Sequence, residues 1–227
     1  MDRERWLMER RAAVEQAYTA EGATYDDGYD PATPTHRRFV SSLIESVPPG
    51  GSVLDAACGT APYAGMVLDA NIGYVGVDRS AGMLERAMAK WPDARFEQVG
   101  LQELDFEATF DAVMCTDAME NVSPEDWPVV VSAFGRALRP GGHLYLTVEE
   151  VERSELEEAF ARASAEGSPA LFGELVEGDT AGYHFYPDRG QVDQWLASAG
   201  FHVVAQADEW LHGYGYHHLL MRTHRDE

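Results

Sequence analysis

Basic residues are scarce: 17 Lys and Arg stand against 39 Asp and Glu in 227 residues, a formal charge of −22. Nucleic acids and anionic membrane surfaces are bound by clustered cations that neutralise phosphate, so neither is an expected partner. Cysteine is nearly absent. Cys58 and Cys115 cannot build a framework of several disulfides, and neither belongs to a C-x-x-C pair of the zinc or thiol-redox kind. A reducing cytoplasm is the expected compartment. With no base or cation adjacent in sequence, both thiols are expected as small buried side chains rather than nucleophiles. Long apolar runs are missing as well: Met1-Asp2-Arg3-Glu4-Arg5 opens a polar N-terminus unlike a signal peptide, and no stretch approaches the length of a membrane span.

What is present is ordinary for a folded domain: 45% hydrophobic and 25% charged residues exclude disorder of the whole chain. At about 150 residues per domain the length suits one large core. A single domain over 1–227 is expected: N-terminal helices over 1–50, a ligand-binding core over 51–150, an insertion over 151–189, and a closing helix and strand pair over 190–227. Leu7, Val14, Ala17 and Tyr18 share a helical stripe, and Phe39, Leu43 and Val47 mark a second helix from Thr35. From Ser52 onward short apolar runs alternate with helical patterns. Strands are expected at Val53-Leu54, Tyr74 to Val77, Phe96 to Val99, Ala112 to Cys115 and Leu144 to Val148. Helices are expected near Tyr63 to Asp69, Ala81 to Lys90 and Pro124 to Leu138, with Ser123 as cap and Arg139-Pro140-Gly141-Gly142 as a closing turn. A helix from Glu152 to Ala165 precedes a long irregular stretch to Arg189, then a helix around Val192 and Trp195, and strands at Phe201 to Ala205 and Gly215 to Arg222. The pattern predicts an α/β fold: a Rossmann-like, doubly wound, mostly parallel seven-stranded sheet with an antiparallel last strand and helices on both faces.

In such a sheet the ligand lies beyond the carboxyl ends of the strands, where strand order reverses. Small residues follow the first strand, in Asp55-Ala56-Ala57-Cys58-Gly59-Thr60-Ala61. Asp78 closes the second, 23 residues after Asp55, the separation at which a carboxylate receives ribose hydroxyls. A nucleoside cofactor is therefore expected. The dinucleotide fingerprint G-x-G-x-x-G is missing, which speaks against a pyrophosphate and a dehydrogenase.

With Val53-Leu54-Asp55-Ala56-Ala57-Cys58-Gly59-Thr60, Gly76-Val77-Asp78-Arg79-Ser80-Ala81-Gly82-Met83-Leu84, Phe110-Asp111-Ala112-Val113 and Leu138-Arg139-Pro140-Gly141-Gly142 in this order, the sequence resembles the class I S-adenosylmethionine-dependent methyltransferases, of the small-molecule type, over about 170 residues. The resemblance implies S-adenosyl-L-methionine as cofactor and S-adenosyl-L-homocysteine as product. It places Asp55, Ala57, Cys58 and Gly59 under the methionine part, Asp78 and the adjoining Arg79 at the ribose, Met83 on the adenine, Leu101 and Gln102 at the adenine edge, and Cys115 near the sulfonium. It departs from the family at Ala57 and Ala61, where glycine is usual, and at Gly100, where an acidic residue often meets the adenine amine; that amine is then left to Gln102 or water.

The acceptor is expected among Asp117 to Asn121, Glu149-Glu150 and Gly182 to Pro187. His184 is the expected general base, with Tyr183 and Asp117 completing the catalytic set. Glu120, Glu149 and Tyr186 are expected to bind the acceptor. Asp117, Glu120 and Glu149 together suggest a pocket for a cationic amine, and no metal is assigned. His217 and His218 face opposite sides of a strand, so at least one is expected to be exposed. The N-terminal helix and the insertion, with Tyr25 to Tyr29, are expected to form a lid, so that removing residues 1–30 harms turnover more than stability. The expected function is transfer of a methyl group to oxygen or nitrogen of a small molecule by a monomer or homodimer. The alternatives are a carbon-directed enzyme and a non-catalytic S-adenosylmethionine or nucleoside-binding module.

Overall fold

A computed structural model of the chain describes residues 2–27, 32–177, 182–211 and 213–224. Two helices come first, α1 (Arg3–Glu21) and α2 (Pro34–Ser46). At the start of α2 the Thr33 hydroxyl accepts the backbone N–H of His36 and Pro34 occupies the first turn, where its missing N–H costs nothing. The alternating segment gives β1 (Ser52–Ala56), α3 (Ala64–Asp69), β2 (Gly73–Asp78), α4 (Ala81–Lys90), β3 (Arg95–Gln98), β4 (Phe110–Cys115), α5 (Trp127–Ala137) and β5 (Leu138–Glu150). Short 3-10 turns at Leu101–Glu103 and Met119–Asn121 follow β3 and β4. The chain continues with α6 (Arg153–Ala165), β6 (Glu174–Glu177), β7 (Gly182–Phe185), α7 (Arg189–Ser198), β8 (Phe201–Leu211) and β9 (Tyr214–Thr223).

Seven strands form one sheet in the order β3-β2-β1-β4-β5-β9-β8. β1 to β5 run parallel, and β9 is antiparallel to both β5 and β8. The expected architecture is therefore present, with the reversal of strand order at β1. Alternate residues of each strand feed two apolar layers. Leu54, Val113, Leu144 and Leu146 join Trp127, Val130 and Phe134 of α5 on one side, while Val53, Ala112 and Tyr145 meet Phe39, Val40 and Leu43 of α2 on the other. Each fully buried side chain of this kind contributes roughly 1.5–3 kcal/mol, enough in sum to hold the fold without a disulfide. Both cysteines are free and buried.

Several local expectations give way to tertiary structure. Asp126 and Trp127 both donate their backbone N–H to the Ser123 carbonyl, and the Ser123 hydroxyl donates to Asp126 instead of capping, so α5 begins after a turn. The Arg139 to Gly142 segment is absorbed into β5 through a register shift against β4. The stretch before Arg189 contains the antiparallel β6–β7 hairpin. His217 and His218 are both buried, because β9 lies inside the sheet and its two faces are covered. Among the described residues no helix is long and apolar enough to cross a membrane.

α1 is part of the core, not a detachable cover. Trp6 and Leu7 sit in the first apolar layer. Arg3 donates to both carboxylate oxygens of buried Glu174, at 2.8 and 2.9 Å, and pairs with Glu125. Near the C-terminal end of α1 the backbone lies directly on α4: a Cβ added to Gly82 would stand 2.1 Å from the Thr19 carbonyl oxygen. Removing residues 1–30 would therefore take away core packing as well as any cover over the site. Of the lid stretch Tyr25 to Tyr29, positions 28 and 29 lie outside the described residues.

Candidate active site

Two adjoining cavities open beyond the carboxyl ends of β1, β2 and β4. The first, of about 150 Å³, is lined by Ala57, Gly59, Asp78, Arg79, Met83, Leu101 and Gln102 from the sheet side and by Arg11, Val14, Glu15 and Tyr18 from α1. The second, of about 290 Å³, is lined by Cys58, Asp117, Glu120, Glu149, His184 and Tyr186 and by a group of further tyrosines. Tyr18, Tyr25, Ala57, Gly59 and Asp117 border both.

Asp78 anchors the first cavity. One carboxylate oxygen accepts the Gly59 N–H and the other the Ser80 N–H, each at 2.8 Å. Burial nevertheless raises its pKa, against the pull of those two N–H groups. Ala57, Gly59 and Ala61 all adopt the left-handed region, with φ of 58°, 52° and 56°. The two alanines thus occupy backbone that glycine enters at no steric cost. Ala61→Gly is expected to raise stability by about 0.5–1 kcal/mol; an unchanged or lowered denaturation midpoint would refute strain in this loop.

Gly100 lies beneath an ion pair between two flexible side chains. A Cβ on Gly100 would lie 2.4 Å from the Arg79 guanidinium and 2.3 Å from the Glu103 carboxylate, which pair across it. Gln102 is held between partners: its carbonyl oxygen accepts from Arg79 at 3.2 Å and its amide donates to Asp126 at 3.4 Å.

The second cavity concentrates carboxylates. Burial pushes the Glu149 carboxyl up to about 7, with nearby Asp117 adding to the rise. Burial, then Glu149 and Asp117, push Glu120 well above the usual carboxylate range, although Asn121 donates to it at 2.8 Å. Asp117 has a φ of 50° and is fixed by Thr147, whose hydroxyl accepts the Asp117 N–H at 2.7 Å and donates to its carboxylate at 3.0 Å. Tyr18 and Tyr186 are raised by burial and by facing Glu120 and Glu149. Tyr63 is raised by burial and Asp117.

Three predicted site residues fall outside both cavities. Tyr183 packs edge-on against Trp6 and donates its hydroxyl to Glu174 at 2.7 Å, so β7 turns it into the core while His184, its neighbour in the strand, faces the cavity. The Asp55 carboxylate accepts the Tyr74 hydroxyl at 2.7 Å and is pushed up to about 7 by burial. Cys115 is enclosed at the end of β4, where burial holds its thiol protonated, as it does Cys58. Conversely, Arg11, Tyr63, Tyr214 and Tyr216 line the cavities without having been singled out. The first was legible, since Arg11, Val14, Glu15 and Tyr18 follow helical spacing, and Tyr214 and Tyr216 alternate along β9. Tyr63 carries no such signal, being placed by the fold of the loop after β1.

Residues 53–142 match the family described as a methyltransferase domain. That segment is a methyltransferase domain, in line with the resemblance of its motifs to the class I S-adenosylmethionine-dependent methyltransferases. Beyond this segment, a demethylmenaquinone methyltransferase of Renibacterium salmoninarum is 29% identical over 182 residues, 74% of this chain and 73% of that protein. Among solved structures, 1,6-didemethyltoxoflavin-N1-methyltransferase of Burkholderia thailandensis, with bound 1,6-didemethyltoxoflavin and S-adenosylhomocysteine, superposes with a TM-score of 0.69 at 17% identity, covering 94% of this chain and 88% of that one. The [4+2]-cyclase SpnF superposes with a TM-score of 0.68 at 17% identity, covering 94% and 96%. The methyltransferase domain thus contains all four sequence motifs, from the loop after β1 to the start of β5, while α1, β7 and β9, which complete the cavities, lie outside it.

Proposed function

We propose that the chain transfers the methyl group of S-adenosylmethionine to the nitrogen of a small cationic amine. The observation that carries this reading is the second cavity, where Asp117, Glu120 and Glu149 stand among Tyr18, Tyr25, Tyr63, Tyr186, Tyr214 and Tyr216. Carboxylates and aromatic faces are the two groups that hold an ammonium out of water. With a neutral oxygen acceptor, three acids would share the single net positive charge of the cofactor, a crowded arrangement in a partly buried site.

The residues of the first cavity fit the cofactor. Asp78 is placed to take the ribose hydroxyls and Met83 to cover the base. Gly59 leaves open space where a side chain would stand. The bound cofactor supplies an electrophilic methyl group, so the protein has to align the acceptor and exclude water. An ammonium must lose a proton before its nitrogen attacks. His184, on the cavity wall, and Glu149, with a pKa of about 7, are both placed to accept it. α1 and β7 close the cavity from above, which supports a covering role for both.

Methylation of a panel of amines, phenols and demethylmenaquinone by the purified protein tests this. Amines are expected as acceptors, and Glu120→Gln or Glu149→Gln is expected to lower kcat/KM for them by at least roughly 30-fold, as removal of one partner of a buried ionic contact costs about 2 kcal/mol or more. Because the carboxylate is the form that attracts an ammonium, amine affinity should increase with pH up to about 7 and level off above. Transfer to demethylmenaquinone or phenols and to no amine would overturn the amine assignment. Cofactor binding with no transfer at all would indicate a binding module.

A further inference from the structure

Beside the second cavity, whose wall residues Asp117, Tyr63 and Tyr216 contact His36, β9 and β8 meet the start of α2. Here the ligating atoms of His36, Glu209 and His218 all lie within 4.8 Å of one another. We propose that these three side chains bind a divalent first-row cation of the zinc type. His218 is fully buried, and its Nε2 has no hydrogen-bond partner among the described residues. That atom stands 3.7 Å from a Glu209 carboxylate oxygen, close to the roughly 3.4 Å edge of a tetrahedron with bonds of about 2.05 Å. A buried ring nitrogen aimed at a carboxylate across a gap too long for a hydrogen bond leaves room for an ion between them.

The surroundings supply what metal-binding imidazoles need. A ligating histidine is oriented by a partner on its other nitrogen, most often a carboxylate. His36 Nε2 meets Asp117 at 3.1 Å, so Nδ1 would face the cation in exchange for its contact with the Thr33 hydroxyl. His218 Nδ1 meets the Tyr145 hydroxyl at 2.9 Å, leaving Nε2. The Thr33 hydroxyl, 2.9 Å from His36 Nδ1 and donating to Glu209 at 3.0 Å, marks the fourth position, for itself or for a water. Two imidazoles and one carboxylate suit zinc and its neighbours rather than calcium or magnesium, which favour all-oxygen sets. Such an ion would tie α2, β8 and β9 together. It would also fix Asp117, a wall residue of both cavities, through His36.

The test uses the full chain after chelator treatment. Equilibrium dialysis against micromolar Zn²⁺ should retain one ion per chain, and Co²⁺ should give the intense visible bands of a four-coordinate site. Glu209→Gln and His218→Gln should each abolish both signals, while Asp117→Asn should weaken binding about 10- to 100-fold as the loss of an orienting partner. Circular dichroism checks that the variants fold; Glu209 is partly exposed, so Glu209→Gln decides the matter if His218→Gln fails to fold. Retention well below one ion per chain, or equal retention by Glu209→Gln, would overturn the site and assign any bound metal to other histidines. None of these readouts depends on methyl transfer.

Discussion

Asp78→Ala is expected to weaken binding of S-adenosylmethionine by about 100-fold or more. Hydrogen bonds to a charged acceptor contribute roughly 1.5–3 kcal/mol each, and a ribose seated at Asp78 as proposed would offer it two hydroxyls. The same substitution releases Gly59, whose N–H loses its acceptor, and with it the left-handed loop that carries Ala57 and Ala61. Asp78→Asn keeps an oxygen for Gly59 and should lose less. Calorimetric titration with S-adenosylmethionine and, separately, with NAD gives the answer. Saturable binding of the first alone, reduced in the variants, is the expected result; binding of NAD alone would assign the cavity to a dinucleotide.

The second large effect is structural. Arg3→Ala leaves Glu174, whose side chain is fully buried, without its cation, and an orphaned buried charge costs about 3–5 kcal/mol. For a domain of this size each kcal/mol lowers Tm by roughly 2–4 °C, so a fall on the order of 10 °C is expected in a thermal scan. The Tyr183 hydroxyl still donates to Glu174 in the variant, which sets the estimate toward the lower end. Arg3→Ala together with Glu174→Gln should recover much of the loss, since the charge itself is then gone. A Tm unchanged by Arg3→Ala would refute the view that this ion pair secures α1 to the hairpin.

The central fold was readable because its signals are local and repeated. Val53-Leu54, Tyr74 to Val77 and Ala112 to Cys115 are short apolar runs between helical stripes, and the helix from Ala81 to Lys90 has the bounds its pattern indicates. Of the cofactor-side residues, Ala57, Cys58, Gly59, Asp78, Arg79, Met83, Leu101 and Gln102 reach the cavities because each follows a strand end, the one place in a parallel sheet where chemistry collects. What sequence could not convey is which face a residue presents once an element is short. Tyr183 and His184 alternate on β7, and only the packing of Trp6 decides which one turns inward. Asp55 was equally undecidable, because its partner Tyr74 comes from the neighbouring strand. The buried pair His217 and His218 depended on β9 being an inner strand, a matter of topology rather than of pattern.

The crowding of Asp117, Glu120 and Glu149 bears on how a catalytic cycle would finish. S-adenosylmethionine carries one net positive charge, from its sulfonium, ammonium and carboxylate, while S-adenosylhomocysteine is neutral overall. A chamber walled by acids, in a chain of net charge −22, attracts the first and has little hold on the second. Methyl transfer would then discharge the very feature that retained the nucleoside, so the spent molecule dissociates more readily than the fresh one. Discrimination of this kind is electrostatic and fades with ionic strength, which makes inhibition by product a quantity that salt should increase relative to donor affinity.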